Sequence, residues 1–582
     1  MSLPDWIVLV VTLLGIIAYG LYKGRTSRDL DGYFLSNRSV PWYMVLLSIM
    51  GTQASAVTFL SAPGQAYTDG MRFIQYYFGL PLAMVVLCIT FVPVFHRLKV
   101  YTAYEFLEQR FDLRTRTLTS FLFLLQRGLS TGISISAPSI ILSSILGWDI
   151  LWTNIFMGGL LIIYTVTGGA KAVAYTQQLQ LIIIFGGMCI AGYMVIHRLP
   201  SNMGFSEALH IGGKAGKLNI ISSGFTEKGF DWNDRYNLLS GVIGGFFLAL
   251  SYFGTDQSQV GRYLTARSLS ESRLGLLMNG LVKVPMQFLI LLVGVLVFAF
   301  YQFNKEPVFF NQTQIELLSK SKYKDSLLLL QKDYEQVQEL KITAMSRLPA
   351  EEIDAKDPGA ETVQERTALE QVRAAQIRAA SDKATIKRWL NDKQVGGDDN
   401  DTNYIFLRFV MDFLPKGLIG LLIAVIFLAA WGSIAATLNS LSSCTIVDFH
   451  KRYSKKELSG EKEYRLSRMY TLFWGIFCVA VAQLAYNLGN SLIEAVNVLG
   501  SLFYGVILGI FLVAFYRKKV GGTAVFISAV IIEIAVVVLT VLSRKGIIHL
   551  SFLWFNVVGA VGVVLLSELI QWMRGQDPAR QA

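Results

Sequence analysis

Apolar runs of about twenty residues, parted by short polar or basic loops, recur along almost the whole chain. About 13 can be marked off, at 4–23, 41–68, 74–97, 117–146, 149–167, 175–197, 237–254, 275–302, 408–447, 466–488, 490–516, 521–542 and 550–573. Each approaches the ~20 residues that carry an α-helix across a bilayer. Several are longer, which predicts tilts or breaks. The pattern therefore predicts an all-α integral membrane protein of about 13 transmembrane helices. The first run follows Asp5 with no basic n-region and no small-residue cleavage site, and reads as a retained helix.

Two of the runs are interrupted at their middles. The 41–68 run carries Gly51-Thr52-Gln53-Ala54-Ser55-Ala56-Val57-Thr58, and a later one carries Ser251-Tyr252-Phe253-Gly254-Thr255-Asp256-Gln257. Polar groups at membrane depth cannot face lipid unpaired. A broken helix there frees backbone carbonyls, and interruptions at matching places in two halves mark an inverted repeat with its site between the halves. Two repeats of five spans follow, 41–197 and 237–516, each opened by a broken helix. Residues 4–23 form an extra N-terminal helix, and 521–573 hold two C-terminal helices. Glycines that merely permit close helix packing are the plainer explanation of either segment alone.

Residues 303–403 interrupt the second repeat with a different composition, rich in Lys, Glu, Asp, Gln and Ala. Leu317 to Leu340 and Glu361 to Leu390 read as helices about a Pro358-Gly359 turn, an extracytoplasmic hairpin. Leu327, Leu330, Tyr334, Val337 and Leu340 recur on one predicted face. The insert is either an enlarged connection or a docking surface for an extracytoplasmic protein partner. The run Asp398-Asp399-Asn400-Asp401 lacks the spacing and distal Glu of a calcium loop and reads as solvated acid.

Composition supports the membrane reading. The 582 residues are 53% hydrophobic and only 16% charged, against about 25% charged in soluble domains. The net charge of +11 does not point to nucleic acid, because of where it lies. With the N-terminus outside, alternate short loops collect about 25 Lys/Arg on one side, including Arg97, Arg110, Arg114, Arg116, Arg262, Arg267, Lys451, Arg452 and Arg517, against about 8 on the other. This bias predicts a multi-pass protein of the cell (inner) membrane, N-terminus outside and C-terminus cytoplasmic. Cys88, Cys189, Cys444 and Cys478 lie within spans and form no disulfide framework. The five histidines are scattered. No nucleophile–base arrangement, phosphate loop or metal cluster supports an enzyme or an organic cofactor.

An alkali cation is held by neutral oxygens, such as released carbonyls and hydroxyls. The first break offers carbonyls near Gly51 and Ala54. The small-residue segment Ala429-Ala430-Trp431-Gly432-Ser433-Ile434-Ala435-Ala436 permits close approach and adds the Ser433 hydroxyl.

Several passages then resemble the solute:sodium symporter family: Tyr33-Phe34-Leu35 with Val40-Pro41-Trp42; Ser55-Ala56-Val57-Thr58-Phe59; Tyr101-Thr102-Ala103-Tyr104-Glu105-Phe106; Tyr164-Thr165-Val166-Thr167-Gly168-Gly169; and Leu438-Asn439-Ser440 leading to Asp448. The resemblance runs from about residue 4 to about residue 545 and takes in the bacterial galactose and sialic-acid symporters and the iodide, monocarboxylate and multivitamin branch. It implies the inverted five-plus-five (LeuT-like) helix bundle. It also implies sodium as the coupling ion, at backbone oxygens of Gly51, Ala54 and Ala429 and at a hydroxyl pair falling on Gly432 and Ser433. The first of that pair has no side chain here. A second sodium site would need an Asp at Gln177 and hydroxyls at Ala435 and Ala436, and all three are absent, which implies one sodium per cycle. Gln177 otherwise reads as an ordinary helix-end polar residue.

For the solute, the resemblance implies contacts at Gln53, Ser55 and Thr58, an aromatic lid at Phe73, and Tyr77 in place of a polar group. It implies an aromatic gate at Tyr252 and a pocket lysine at Lys283, which either pairs with Asp256 or meets the solute. Arg127 lies about one position from a carboxylate-binding arginine. Gln257, Asp256 and Arg262 are candidates for the cytoplasmic end of the pathway. Ala249 and Val496 stand where galactose-binding amides would be. The expected function is sodium-coupled import of a small polar or anionic organic solute by alternating access. A sodium-independent or proton-coupled carrier on the same fold is the alternative, and a transporter-like membrane sensor a weaker one.

Overall fold

The computed structural model describes residues 1–24, 34–201, 203–227, 229–346, 363–454, 460–485 and 492–575. Tyr33, Lys455, Lys456 and the Pro358-Gly359 turn lie outside them. The first part of the chain forms α1 (Leu3–Gly24), α2 (Trp42–Gln53), α3 (Ala56–Asp69), a 3-10 stretch (Gly70–Tyr77), α4 (Leu80–Ile89), α5 (Phe91–Leu98), α6 (Glu105–Arg110), α7 (Leu113–Leu146), α8 (Ile150–His197) and α9 (Phe205–Lys214). Next come α10 (Gly245–Thr255), α11 (Gln257–Tyr263) and α12 (Leu269–Phe303). The insert follows as α13 (Gln312–Ser319), α14 (Lys324–Ser346) and α15 (Val363–Leu390). The chain ends with α16 (Ile405–Phe413), α17 (Leu418–Cys444), α18 (Gly460–Ala485), α19 (Leu492–Tyr516), α20 (Gly522–Arg544) and α21 (Phe552–Arg574). Among the described residues, nine helical segments are long and apolar enough to cross a bilayer.

The breaks fall inside the predicted segments. The first lies at Ala54 and Ser55, where the backbone turns extended (Ser55 φ −83°, ψ 171°). The second lies at Asp256 (φ −80°, ψ 117°), between α10 and α11. Asp256 caps α11 by accepting from the Ser258 N–H at 2.8 Å, the usual service of an aspartate at a helix start.

The predicted runs 149–167 and 175–197 are joined in one helical trace, α8. It is not straight. The Tyr164 and Thr176 hydroxyls lie 2.7 Å apart, whereas twelve residues of straight helix would separate them by about 18 Å. The parts of α8 up to Val166 and from Ala172 therefore do not share one straight axis. Helix α17 is buried along nearly its whole length, as expected of a helix apolar all round. It packs on α8, α1, α2 and α7. Asp5 of α1 accepts from the Gly417 and Gly420 N–H groups at the start of α17, so the extra N-terminal helix caps the central one.

The insert departs from its predicted form. The helix expected over Leu317–Leu340 is split, with α13 ending at Ser319 and α14 starting at Lys324. The Tyr323 N–H donates to the Ser321 hydroxyl at 3.1 Å and marks the turn. Leu327, Tyr334 and Val337 are buried against Ala375, Ala379, Ile386 and Leu390 of α15, but Leu340 is 67% exposed. The acidic run is only partly solvated. The Asp401 carboxylate accepts from the Phe310 and Asn311 N–H groups at 2.9 Å each and closes the base of the insert. Burial pushes the Asp398 and Asp401 carboxyls up to about 6. The insert is tied to α3: Tyr67 donates to Glu306, and Ser61 donates to Asn403 at 2.7 Å.

Asp401→Ala strands two backbone donors and is expected to destabilise the base of the insert by about 1–3 kcal/mol, read as faster amide exchange over 305–315 and 398–404. An acid whose carboxyl is raised in the fold holds its proton more tightly there than in the unfolded chain. The insert should therefore gain stability as pH falls from about 6 towards about 4, measured by exchange protection at the two pH values.

Candidate functional site

The site begins with where the backbone bonds go. At the first break the Ser55 N–H donates to the Gln53 carbonyl at 3.0 Å, and the Thr58 N–H donates to Ser55 at 2.9 Å. In a continuous helix those donors would serve Gly51 and Ala54. The break thus withholds helical donors from the same two carbonyls that the sequence singled out.

Helix α17 meets this break through Gln177 of α8, which is fully buried. Its carboxamide oxygen accepts from Ser48 at 2.9 Å. Its amide group donates to the Thr52 hydroxyl at 3.2 Å and to the Gly432 carbonyl at 3.0 Å. Gln177 is therefore no helix-end residue but a bridge among α2, α8 and α17. Its side chain lies against Gly51, where an added Cβ would stand 3.0 Å from it, and against Gly432, at 3.2 Å. Gly51, Gly432 and Ser433 are all buried. Ser433 donates to the Ala430 carbonyl at 3.1 Å, which leaves its oxygen lone pairs free to accept. Among the described residues no group of three or more His, Cys, Asp or Glu could hold a metal, so any ion here would rest on neutral oxygens.

Beside the break is a cavity of about 100 Å³. Gln53, Ser55, Thr58, Tyr77, Arg127 and Tyr252 line it, as do Tyr76, Gln126, Asn497 and Tyr504, which the sequence reading did not single out. Tyr76 donates to Asn497 at 3.2 Å, joining the first half to the last core helix across the cavity. The adjacent pair Tyr76-Tyr77 was the available signal for the first of these. Asn497 and Tyr504 gave none, since lone polar residues in an apolar run fit packing equally well.

Two expected residues lie elsewhere. Phe73 is absent from the cavity wall and sits in an aromatic cluster, stacked on Tyr76 (centroids 5.5 Å apart) and edge-on to Tyr236. Lys283 is fully buried behind Tyr77, its ammonium 5.7 Å from the ring centre, within cation–π range. It does not pair with Asp256. That carboxylate is taken by Arg127 Nε at 2.7 Å, by the Tyr504 hydroxyl at 2.7 Å and by Ser258. Arg127 also donates to Ser258 at 2.8 Å and lies over the Tyr252 ring at 5.1 Å. The arginine in the cavity wall is thus already neutralised.

The end of the bundle beside the 101–105 turn is tied by polar bonds. Gln257 bonds the Tyr101 carbonyl and the Ala103 N–H. Asp448, fully buried, accepts from Arg116, Thr102 and Ser120. Arg262 is buried without a partner for its Nε and Nη1 among the described residues.

The chain matches the model of the Sodium:solute symporter family over residues 33–315 and 383–531. It is 25% identical over 569 residues to the sodium/sialic acid symporter SiaT of Proteus mirabilis, covering 97% of this chain and 94% of that one. It is 25% identical to sodium-coupled monocarboxylate transporter 1 of Xenopus laevis, over 87% of this chain and 67% of that one. It is 30% identical to the human sodium/iodide cotransporter, over 51% of this chain and 45% of that one. Among solved structures, the substrate-bound outward-open state of a Na+-coupled sialic acid symporter superposes with a TM-score of 0.73 at 22% identity, covering 98% of both chains. The chain belongs to the Sodium:solute symporter family, and it is a multi-pass membrane symporter coupled to sodium. The family is one of transporters, not enzymes.

Arg127→Ala leaves Asp256 as a buried charge without its cation and is expected to cost about 3–5 kcal/mol. Adding Asp256→Ala should return a large part of that loss. A double-mutant cycle on detergent-solubilised protein, read by thermal unfolding, checks the coupling.

Proposed function

We propose that the protein imports a compact polar or anionic organic solute together with one sodium ion per cycle. Sodium rests on the carbonyls of Gly51, Ala54 and Ala429 and on the Ser433 hydroxyl, at the Gly432-Ser433 position of α17. The solute lies in the adjacent cavity, against Gln53, Ser55, Thr58, Tyr77 and Tyr252. The observation that carries this reading is the irregular bonding at Ser55 and Thr58, which takes helical donors from the Gly51 and Ala54 carbonyls, with Gln177 lying against both Gly51 and Gly432. Hydroxyls, amides and aromatic rings line the cavity, which suits a small polar solute. Because Arg127 is held by Asp256, we read it as an organiser of the cavity wall rather than a free carboxylate receptor. Lys283, behind Tyr77, is read as a buried positive charge near the solute and not as a contact.

One ion suffices energetically. Moving a unit charge through 100 mV yields about 2.3 kcal/mol, and a tenfold gradient adds about 1.4 kcal/mol. Together they support roughly several-hundred-fold accumulation of a neutral solute. A monoanion carried one-for-one cancels the voltage part.

The basic loops favour about 13 spans in the cell (inner) membrane, N-terminus outside and C-terminus cytoplasmic. The repeats would then run 41–197 and 237–516, flanked by 4–23 and 521–573. The insert, 303–403, stands outside the membrane; its residues 316–382 fall outside the family match, and it is the candidate surface for a protein partner.

A thermal-shift screen of small carboxylates, sugar acids and polyols, run in sodium and again in potassium, tests the function. A stabilising solute that acts only with sodium is expected, and binding is reciprocal, so the solute should raise sodium affinity by the same factor. Equal shifts in both salts, with a dependence on pH, would favour a proton-coupled carrier. Ser433→Ala should weaken the sodium response by about tenfold without lowering protein yield; an unchanged response removes Ser433 from the site.

A further inference from the structure

A second cavity, of about 340 Å³, lies between α14 of the insert and the ends of α12 and α16. That volume falls in the range of small-molecule sites, roughly 300–1,000 Å³. It shares no lining residue with the cavity beside the first break. Gln338 of α14 lines it and is 1% exposed, yet neither polar atom of its carboxamide has a hydrogen-bond partner among the described residues. The hydroxyl of Tyr301, also in the lining and fully buried, is unpaired among them too. Buried polar groups are normally paired, and two unpaired ones beside one cavity point to a partner from outside the chain.

The charges around the cavity narrow what that partner is. Its two lining cations are already neutralised, Lys305 by Glu339 at 2.8 Å and Arg408 by Asp412 at 2.6 Å. The Glu306 carboxylate is taken by Lys383 and Tyr67. An anion would therefore find no free counter-charge. What remains is amides, at Gln312, Gln331 and Gln338, and the Tyr301 hydroxyl, beside the rings of Phe309 and Phe413. Amides and phenols both donate and accept hydrogen bonds, as hydroxyl groups do, and an aromatic ring suits the C–H face of a sugar.

We propose that this cavity binds a neutral monosaccharide, and that its occupancy is felt by α3. The link is Glu306, which lines the cavity and accepts from Tyr67 at the far end of the half-helix that begins at Ser55. The site stands apart from the sodium reading, since none of its residues belongs to the ion site or the inner cavity.

The test uses full-length protein in lipid nanodiscs, free of sugar-headed detergent, incubated with glucose, galactose or N-acetylglucosamine and followed by amide exchange. At least one sugar should protect residues 301–315 and 331–338, and with them 56–69. Gln338→Leu, which removes an unpaired buried amide, should raise that sugar's half-saturating concentration by about tenfold. Tyr301→Phe, which removes only a hydroxyl, should raise it by about threefold or more. Gln53→Ala, in the inner cavity, should leave it within roughly twofold of the parent. The proposal is overturned if no sugar protects 301–315 and 331–338, or if both variants at the insert bind it as the parent does. Protection lost in Gln53→Ala also overturns it, because the sugar then acts from the inner cavity. Protection that never reaches 56–69 removes the link to α3.

Discussion

Everything in this molecule is arranged around a backbone that cannot be left unpaired. In a low-dielectric interior an orphaned carbonyl costs as much as a lost hydrogen bond or more, and the two-residue gap between α2 and α3 creates such carbonyls at Gly51 and Ala54. The surroundings are made to tolerate this. Small residues at 51 and 432 let helices approach closely enough for one glutamine to touch both. The amide of Gln177 supplies donors to α2 and α17 that no water can supply. What remains unfilled is oxygen-rich and neutral, an environment that selects a cation of low charge over a metal needing thiolate or imidazole.

The second break obeys the same rule with a different solution. At Asp256 the interruption is filled by side chains: the carboxylate caps α11, receives Tyr504 and neutralises Arg127. A buried ion pair adds little net stability against an apolar replacement, yet losing one partner is costly. Such a pair sets geometry more than it adds stability. Here it fixes α7, α10, α11 and α19 around the cavity. A matching device is Asp448 with Arg116, Thr102 and Ser120, which joins α7 to the end of α17.

The architecture was legible wherever one residue type had one physical use. Runs of about twenty apolar residues and small polar residues in mid-span each have few alternatives in a bilayer, and the breaks fell where Gly51–Thr58 and Ser251–Gln257 placed them. The two parts of α8 were legible as two runs, although its helical trace is continuous. Side-chain partners were not legible. Asp256 had one named candidate cation, Lys283, and packing gave the carboxylate to Arg127 instead. Phe73 was placed on the cavity by resemblance and stands behind Tyr76. Asp398–Asp401 looked like solvent-facing acid because composition is silent about the backbone N–H groups of Phe310 and Asn311 that one of its members serves.

The insert is the least family-like part of the chain and yet is fastened to its most mechanically exposed element. Helix α3 carries Ser55 and Thr58 at one end and Tyr67 at the other. Tyr67 bonds Glu306, Ser61 bonds Asn403, and an added Cβ on Gly64 would overlap the Thr402 carbonyl. Those three contacts lie along one face of one helix, at 61, 64 and 67–68, the spacing of neighbours on a helical surface. The three contacts straddle Pro63, so a tilt of this part of α3 carries the base of the insert with it or breaks these bonds. The Asp401 cap makes the first outcome the easier one, because it locks Phe310 and Asn311 to the segment that α3 holds. The insert and the half-helix are therefore one mechanical body, and alternating access in this member has to move both.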